Sequence, residues 1–259
     1  MVQTSHTIWR CRERMLICGS RTRIMGILNV TPDSFSDGGQ FQTVKSAVDR
    51  GLQMLAEGAD ILDIGGESTR PGAAPVDVAE EIRRTVPVIQ ALRQHTDALI
   101  SIDTRKAEVA RAALDAGADI VNDISAGSDA RMAAVVAESG AGWVLMHMQG
   151  TPQTMQNNPQ YADVVSEVRN FFQERMAYAL SQRVAVEQVV MDPGIGFGKT
   201  DVHNLALLRN LGAFAKLGRP VLMGASRKSV IGRLLGREPA DRLAGSLALA
   251  VFSVLRGAP

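Results

Sequence analysis

The sequence predicts an α/β barrel of the (β/α)8 type, and three features carry that expectation. Short apolar runs alternate with longer stretches of helical spacing. The runs are β-branched or aliphatic, as buried parallel strands are. Seven such units fall in about 240 residues, which suits a barrel better than a doubly wound sheet.

The runs are Ile24–Leu28, Ile61–Ile64, Leu99–Ile102, Ile120–Val121, Trp143–Met146, Val189–Met191 and Val221–Met223. Between the first two, Val44, Val48, Leu52, Leu55 and Ala59 form one helical stripe. Val78, Ile82, Val86, Ile89 and Leu92 repeat it. A helix opening at Asp103-Thr104-Arg105 runs through Val109, Ala113 and Ala116 and stops at Gly117. Ala162–Leu180, Leu205–Leu217 and Arg242–Leu255 predict three more. Gly-Ala-Asp occurs at residues 58–60 and again at 117–119, each time just before a strand, as a repeated helix-end turn.

Composition narrows the function. With 28 basic and 27 acidic residues the net charge is +1, which argues against a nucleic-acid coat or a polybasic membrane anchor. No apolar run approaches the roughly 20 residues of a membrane span. Cys11 and Cys18 alone make no disulfide framework, so a cytoplasmic protein is expected. The Arg-rich start lacks the apolar core of a secretory signal. It reads as an N-terminal extension over residues 1–22 leading into the barrel floor, in preference to a transit peptide, with the barrel domain over 23–259.

Nearly every apolar run ends in a polar residue. They are Asn29; Asp63, with Glu67 to Arg70 beyond it; Asp103 and Arg105; Asn122 and Asp123; His147; Asp192; and Ser226, Arg227 and Lys228. In a barrel the carboxyl ends of the strands converge on one face, where active sites sit. Singly, each Asp or Asn is also an ordinary turn or cap residue. Together they predict an enzyme acting on a small anionic substrate. The run Gly194 to Thr200 looks like a phosphate loop and is not one. Pro193 stands where a P-loop needs Gly, and Lys199 where a dinucleotide fingerprint needs its third Gly. The four histidines form no metal cluster, and His6, His95 and His203 read as surface residues.

From Ile24 to its C-terminus the chain resembles the dihydropteroate synthase family of folate biosynthesis. The resemblance rests on Met25-Gly-Ile-Leu-Asn-Val-Thr-Pro-Asp-Ser-Phe-Ser-Asp-Gly-Gly39, Gly58-Ala-Asp-Ile-Leu-Asp-Ile-Gly-Gly-Glu-Ser-Thr-Arg-Pro-Gly72, Ser101-Ile-Asp-Thr-Arg105, Val121-Asn-Asp-Ile124, Met191-Asp-Pro-Gly-Ile-Gly-Phe-Gly-Lys199 and Gly224-Ala-Ser-Arg-Lys228. It implies a transferase joining 6-hydroxymethyl-7,8-dihydropterin diphosphate to p-aminobenzoate with release of pyrophosphate.

The same resemblance implies roles. Asp103, Asn122, Asp192 and Lys228 would form the pterin pocket, with Met146 and Phe197 on the ring faces. Asp63, Ile124, Gly224 and Arg227 belong to the same substrate-binding set. Asn29 would ligate Mg2+, which also holds the diphosphate. Thr69, Pro71, Phe35 and Ser226 would shape the p-aminobenzoate site between loops Val30–Gly39 and Ser68–Ala74. Asp37 and Arg70 would pair as the loops close, joining Asp103 and Lys228 as catalytic residues. Sulfonamides, mimics of p-aminobenzoate, are expected inhibitors.

The family pattern continues past Arg256-Gly257-Ala258 into an eighth strand with Arg-x-His and a last helix. This sequence ends at Pro259. The expectation is therefore a barrel lacking that strand and helix, with weak diphosphate binding and low stability, and a homodimer only where the C-terminus is complete. Two alternatives remain open here: a truncated pterin-binding protein with little turnover, and a related barrel that binds methyltetrahydrofolate. The Ser226-Arg227-Lys228 run and the Asn29–Gly39 loop disfavour the second.

Overall fold

The computed structural model describes residues 7–31, 40–69 and 72–258. A hairpin of β1 (Thr7–Cys11) and β2 (Arg14–Cys18) precedes a parallel sheet. The sheet and its helices follow in the order β3 (Met25–Asn29), α1 (Gln40–Ala56), β4 (Ile61–Gly65), α2 (Val78–Arg93), β5 (Leu99–Asp103), α3 (Ala107–Asp115), β6 (Ile120–Asp123), α4 (Met132–Ser139), β7 (Gly142–Met146), α5 (Val164–Ser181) and β8 (Val189–Asp192). Helices α6 (Asp201–Arg209), α7 (Leu211–Ala215), α8 (Ser229–Leu235) and α9 (Leu243–Leu255) complete it. The six strands β3 to β8 are hydrogen-bonded in strict sequence order, every pair parallel. A doubly wound sheet would reverse its order at a switch point. Sequential winding is the barrel arrangement, as the sequence predicts.

Strand side chains alternate between two faces. Leu62, Ile64, Ile100, Ile102, Val121, Trp143 and Leu145 point outward into the main core under the helices. Their neighbours Ile61, Leu99, Ile120, Val144 and Val190 point inward and form a separate core at the barrel floor. Two residues on from each of these, on the same inner face, stand Asp63, Ser101, Asn122, Met146 and Asp192. The barrel is thus apolar below and polar above, and the change occurs within single strands.

The hairpin is not among the expected strands: its apolar run Met15–Cys18 stands among five arginines, in a stretch that reads as an extension. It plugs the floor: Trp9, Cys11 and Cys18 are buried against Ile61, Leu99 and Val190. The Trp9 indole N–H donates to the Gln188 carbonyl at 2.8 Å. Gly142 admits the plug, since a Cβ there would lie 2.8 Å from both Cys11 Sγ and the Trp9 indole nitrogen. The arginines that make the start basic are clamps. Arg10 bonds Gln188; Arg12 bonds the Leu114 and Ala118 carbonyls; Arg14 bonds the Asp97 carbonyl; Arg21 and Arg23 pair with Asp60. The repeated Gly-Ala-Asp has one job. Asp60 accepts the Ile24 N–H and Asp119 the Ile100 N–H, each at 3.0 Å, fixing the start of a neighbouring strand.

Four local expectations are corrected. Val221–Met223 is not a strand: Val221 makes a single parallel bridge to Met191, because among the described residues it is paired on that one side only. The stretch 205–217 is two helices, broken at Asn210. Helix α4, with its C-cap Gly140 in the left-handed region, went unmarked. In α2 the buried side runs Glu81, Thr85, Val88, Leu92, with Ile89 beside it, about one residue round from the apolar stripe.

Trp9→Ala is expected to destabilise the chain by about 3–5 kcal/mol, the range for emptying a buried Trp site. Urea unfolding measures it, and a loss under about 1 kcal/mol would show that the hairpin is not part of the core.

Candidate active site

The sheet register sets the upper end of the barrel. Asn29, Gly65, Asp103 and Asn122 are aligned across β3 to β6. Gly65 keeps the middle of this row open: a Cβ there would meet Asn29 Oδ1 at 3.4 Å and Asp103 Oδ2 at 3.6 Å. Asn122 Nδ2 donates to Asp63 Oδ2 at 2.9 Å across the barrel interior. Asp63 Oδ1 and Asp103 Oδ1 are buried without a hydrogen-bond partner. Two unpaired carboxylate oxygens in a polar interior are acceptors held ready for donors on a ligand.

Lys228 enters from the other side. Its Nζ lies 4.5 Å from the centre of the Phe197 ring and interacts electrostatically with Asp103 and Asp192. Gly224 makes room, since a Cβ there would sit 3.3 Å from Lys228 Nζ. Asp192 ends β8 beside Met146, its register partner, and accepts the Gly194 N–H at 2.7 Å. Burial pushes the Asp192 carboxyl up, opposed by that N–H and by Lys228 and Lys199. Burial also raises Asp103, well above the usual carboxylate value, reinforced by Asp63, Glu81, Asp123 and Glu67. Burial raises Asp63 in turn, against Ser101 and Asn122. Lys228 is lowered by burial, with both carboxylates pulling it back.

The glycine-rich loop carries Phe197 and is held from beneath by Lys199. The Lys199 Nζ reaches the carbonyls of His147 at 3.1 Å, Gly194 at 3.0 Å and Phe197 at 2.9 Å, and His147 Nδ1 at 3.0 Å. Burial lowers Lys199 to about 7. Burial and the facing Lys199 lower His147 to about 3, so its imidazole is neutral and has an acceptor nitrogen to offer. Gly194 and Gly198 have positive φ and lie against backbone: a Cβ would come to 2.0 Å from the His147 carbonyl oxygen and 2.6 Å from that of Gln149. These glycines wrap the loop around an ammonium, not around a phosphate.

Thr69 and Ile124 line a small hollow, open to solvent, with Asp103, Thr104, Arg105, Glu67 and Glu81. Ser226 and Arg227 are exposed at the root of α8, and Arg227 takes a left-handed conformation, its N–H donating to Ser246 Oγ. Phe35, Asp37, Arg70 and Pro71 lie outside the described residues. Asp123 turns away from the barrel. It accepts from Ser125 and the Gly127 N–H, shaping the turn after β6. Lys199, Glu81 and Lys106 had gone unmarked as site residues. The available signals were a lysine closing a glycine run and a glutamate on the inner side of a helix.

Residues 25–259 match the pterin binding enzyme family. The dihydropteroate synthase of Synechocystis sp. is 50% identical over 242 residues, covering 93% of this chain and 84% of that protein. The chain belongs to the dihydropteroate synthase family. The Xanthomonas albilineans dihydropteroate synthase structure with 4-aminobenzoic acid superposes with a TM-score of 0.91 at 47% identity, covering 98% of this chain and 91% of that one. The Yersinia pestis dihydropteroate synthase structure with a sulfonamide drug gives a TM-score of 0.91 at 43% identity, covering 97% and 91%. As a dihydropteroate synthase the chain condenses 6-hydroxymethyl-7,8-dihydropterin diphosphate with p-aminobenzoate to 7,8-dihydropteroate and pyrophosphate.

Lys199→Met is expected to cost about 3 kcal/mol or more, since it strands several buried carbonyls at about 1–3 kcal/mol each. It is also expected to weaken pterin binding by calorimetry through the loss of Phe197 placement. An unchanged denaturation midpoint would remove Lys199 from this role.

Proposed function

We propose that this dihydropteroate synthase holds the pterin with Asp192, Asn122, Asp63 and Lys228, and that Met146 and Phe197 flank the ring. The observation that carries the reading is Lys228. Its Nζ rests on the Phe197 ring with Asp192 and Asp103 as charge partners. A pterin edge presents N–H donors to Asp192 and acceptors to Asn122 and Lys228. Ile124 and Gly224 border the ring, and Arg227 the open rim.

p-Aminobenzoate is assigned to Thr69, Ser226, Phe35 and Pro71, with the α8 N-terminus meeting its carboxylate and Asp37 and Arg70 sealing the site. The carbon–oxygen bond to the diphosphate breaks first, and the amine nitrogen of p-aminobenzoate then bonds to the cationic pterin methylene carbon. The bonding pair leaves with the diphosphate and the amine sheds one proton. Asp103 stabilises positive charge on the methylene, an effect stronger in the transition state than in the ground state.

Mg2+ is part of the proposal, with Asn29 as its protein ligand. The donor set fits a metal held mainly by substrate: Asn29 offers one neutral oxygen beside the open Gly65 position. Among the described residues no three His, Cys, Asp or Glu side chains gather as a metal cage. When bound, the ion neutralises charge on the leaving diphosphate. Cytoplasmic residence is proposed from two buried free cysteines and the lack, among the described residues, of a helix long and apolar enough to cross a membrane. A homodimer is part of the proposal only for a form that carries the C-terminal strand and helix of the family pattern.

Pyrophosphate release is expected to require both substrates and Mg2+, and sulfonamides to compete with p-aminobenzoate. Pterin binding without turnover would instead favour a binding protein. Asp103 has to be ionised to act, and its carboxyl is raised, so activity is lost as pH falls through that raised value. The acid limb of kcat/KM is therefore expected above the ordinary carboxylate range near 4. Asp103→Asn is expected to abolish that limb and to cut kcat by about 100-fold or more. A limb unmoved by the substitution would reassign it.

A further inference from the structure

Beside the pterin pocket stands a half-buried ion network, with Glu81 fully buried in it, that has no part in the reaction. Lys106, at the foot of α3, pairs with Glu67 and with Glu81 of α2, and donates to the Val76 carbonyl at 2.7 Å. Glu67 Oε2 also accepts the Val76 N–H at 3.1 Å, and Arg105 reaches Glu67 Oε1 at 3.2 Å. One ammonium therefore ties together residues 67 and 76, the two ends of the segment that carries Thr69. The tie is held from outside that segment. Arg84 of α2 bonds the Gly66 carbonyl at 2.9 Å, and a Cβ on Gly66 would collide with Thr85 at 2.8 Å.

Burial makes the arrangement costly to break. Glu81 is 1% exposed and its Oε1 has no partner, so Lys106 is what compensates its charge. Removing one member of such a pair leaves an uncompensated buried charge, which a local rearrangement relieves by admitting water. The residues that would move are Glu67 and, two positions on, Thr69, which shares one hollow with Asp103. Asp63, Asn122, Asp192 and Lys228 are held by other contacts: the Asn122–Asp63 bond, the Gly194 N–H and the Phe197 ring.

We propose that Lys106 is a positioning residue for p-aminobenzoate, clasping both ends of the 67–76 segment so that Thr69 stands at the acceptor side of the pocket. The inference rests on the assignment of Thr69 to that substrate. It separates the two substrates, because the hydrogen bonds of the clasp end on Glu67, Val76 and Glu81 and on none of Asp63, Asn122, Asp192 and Lys228.

Steady-state kinetics on purified protein test it. Lys106→Met is expected to raise KM for p-aminobenzoate about tenfold while KM for the pterin diphosphate stays within about twofold. Lys106→Arg, whose guanidinium spans two carboxylates, is expected to restore most of the loss. Should Lys106→Met fail to fold, the double variant Glu81→Gln/Lys106→Met removes the buried charge pair as a whole and is expected to keep the raised KM. Equal changes in both KM values, an effect confined to kcat, or no effect overturns the inference. Pyrophosphate release by the unaltered protein that ignores p-aminobenzoate overturns the site reading beneath it instead.

Discussion

The structure depends on one constraint, the two-residue alternation of a parallel strand with each face committed to a different neighbour. Outer positions have to be apolar because helices cover them. Inner positions are apolar only as far up as the hairpin plug and the layer of Ile61, Leu99, Ile120, Val144 and Val190 fill the barrel. Above that layer the same face turns mainly polar, and Asp63, Ser101, Asn122 and Asp192 stand there with Met146. A one-residue slip in any strand would bury its polar set under a helix and turn its core residues inward. Site geometry and core packing are therefore specified by the same register.

That shared register explains what was legible in the sequence. A polar residue directly after an apolar run marks a strand end, and a row of them marks a converging face. Asn29, Asp103, Asn122 and Asp192 could thus be read in order along the chain. Asp63 was visible for the same reason, although it lies inside its strand. Less legible were groups whose partners lie far away in sequence. Lys199 makes sense only once His147, 52 residues earlier, is known to stand over it. Glu81 occupies a helical position where polarity usually means solvent, and Lys106, 25 residues on, is what allows its burial. The hairpin was hard to read because its strands are five residues long and lie in an Arg-rich stretch, where the apolar run Met15–Cys18 does not stand out as part of a repeating unit. The break at Asn210 is marked only by Arg209-Asn210 and the nearby Gly212, residues a single helix also tolerates.

The electrostatics of the barrel mouth follow from an imbalance. Asp63, Asp103 and Asp192 share a buried interior with few cations, and each is shifted toward its protonated form. Such a cluster is costly in the free protein and complementary to a substrate that brings N–H donors and develops positive charge. The cost is tolerated because floor and helices are well packed, and it becomes useful at the transition state, where the deficit of positive charge is met.

Three buried or half-buried lysines in one site raise the question of which one faces substrate. Chemical type does not decide it, but spent hydrogen-bonding capacity does. An ammonium has three protons. Lys199 faces three carbonyls and an imidazole nitrogen, so none of its protons is left over. Lys106 is spent on two carboxylates and a carbonyl. Lys228 has no hydrogen-bond acceptor among the described residues, and meets only an aromatic face and the more distant charges of Asp103 and Asp192. A buried ammonium with its protons unassigned is stable only while opposite charge stands near, and it gains most when a ligand supplies acceptors. By that argument Lys199 and Lys106 hold the shape of the site, and Lys228 is the cation left for the pterin.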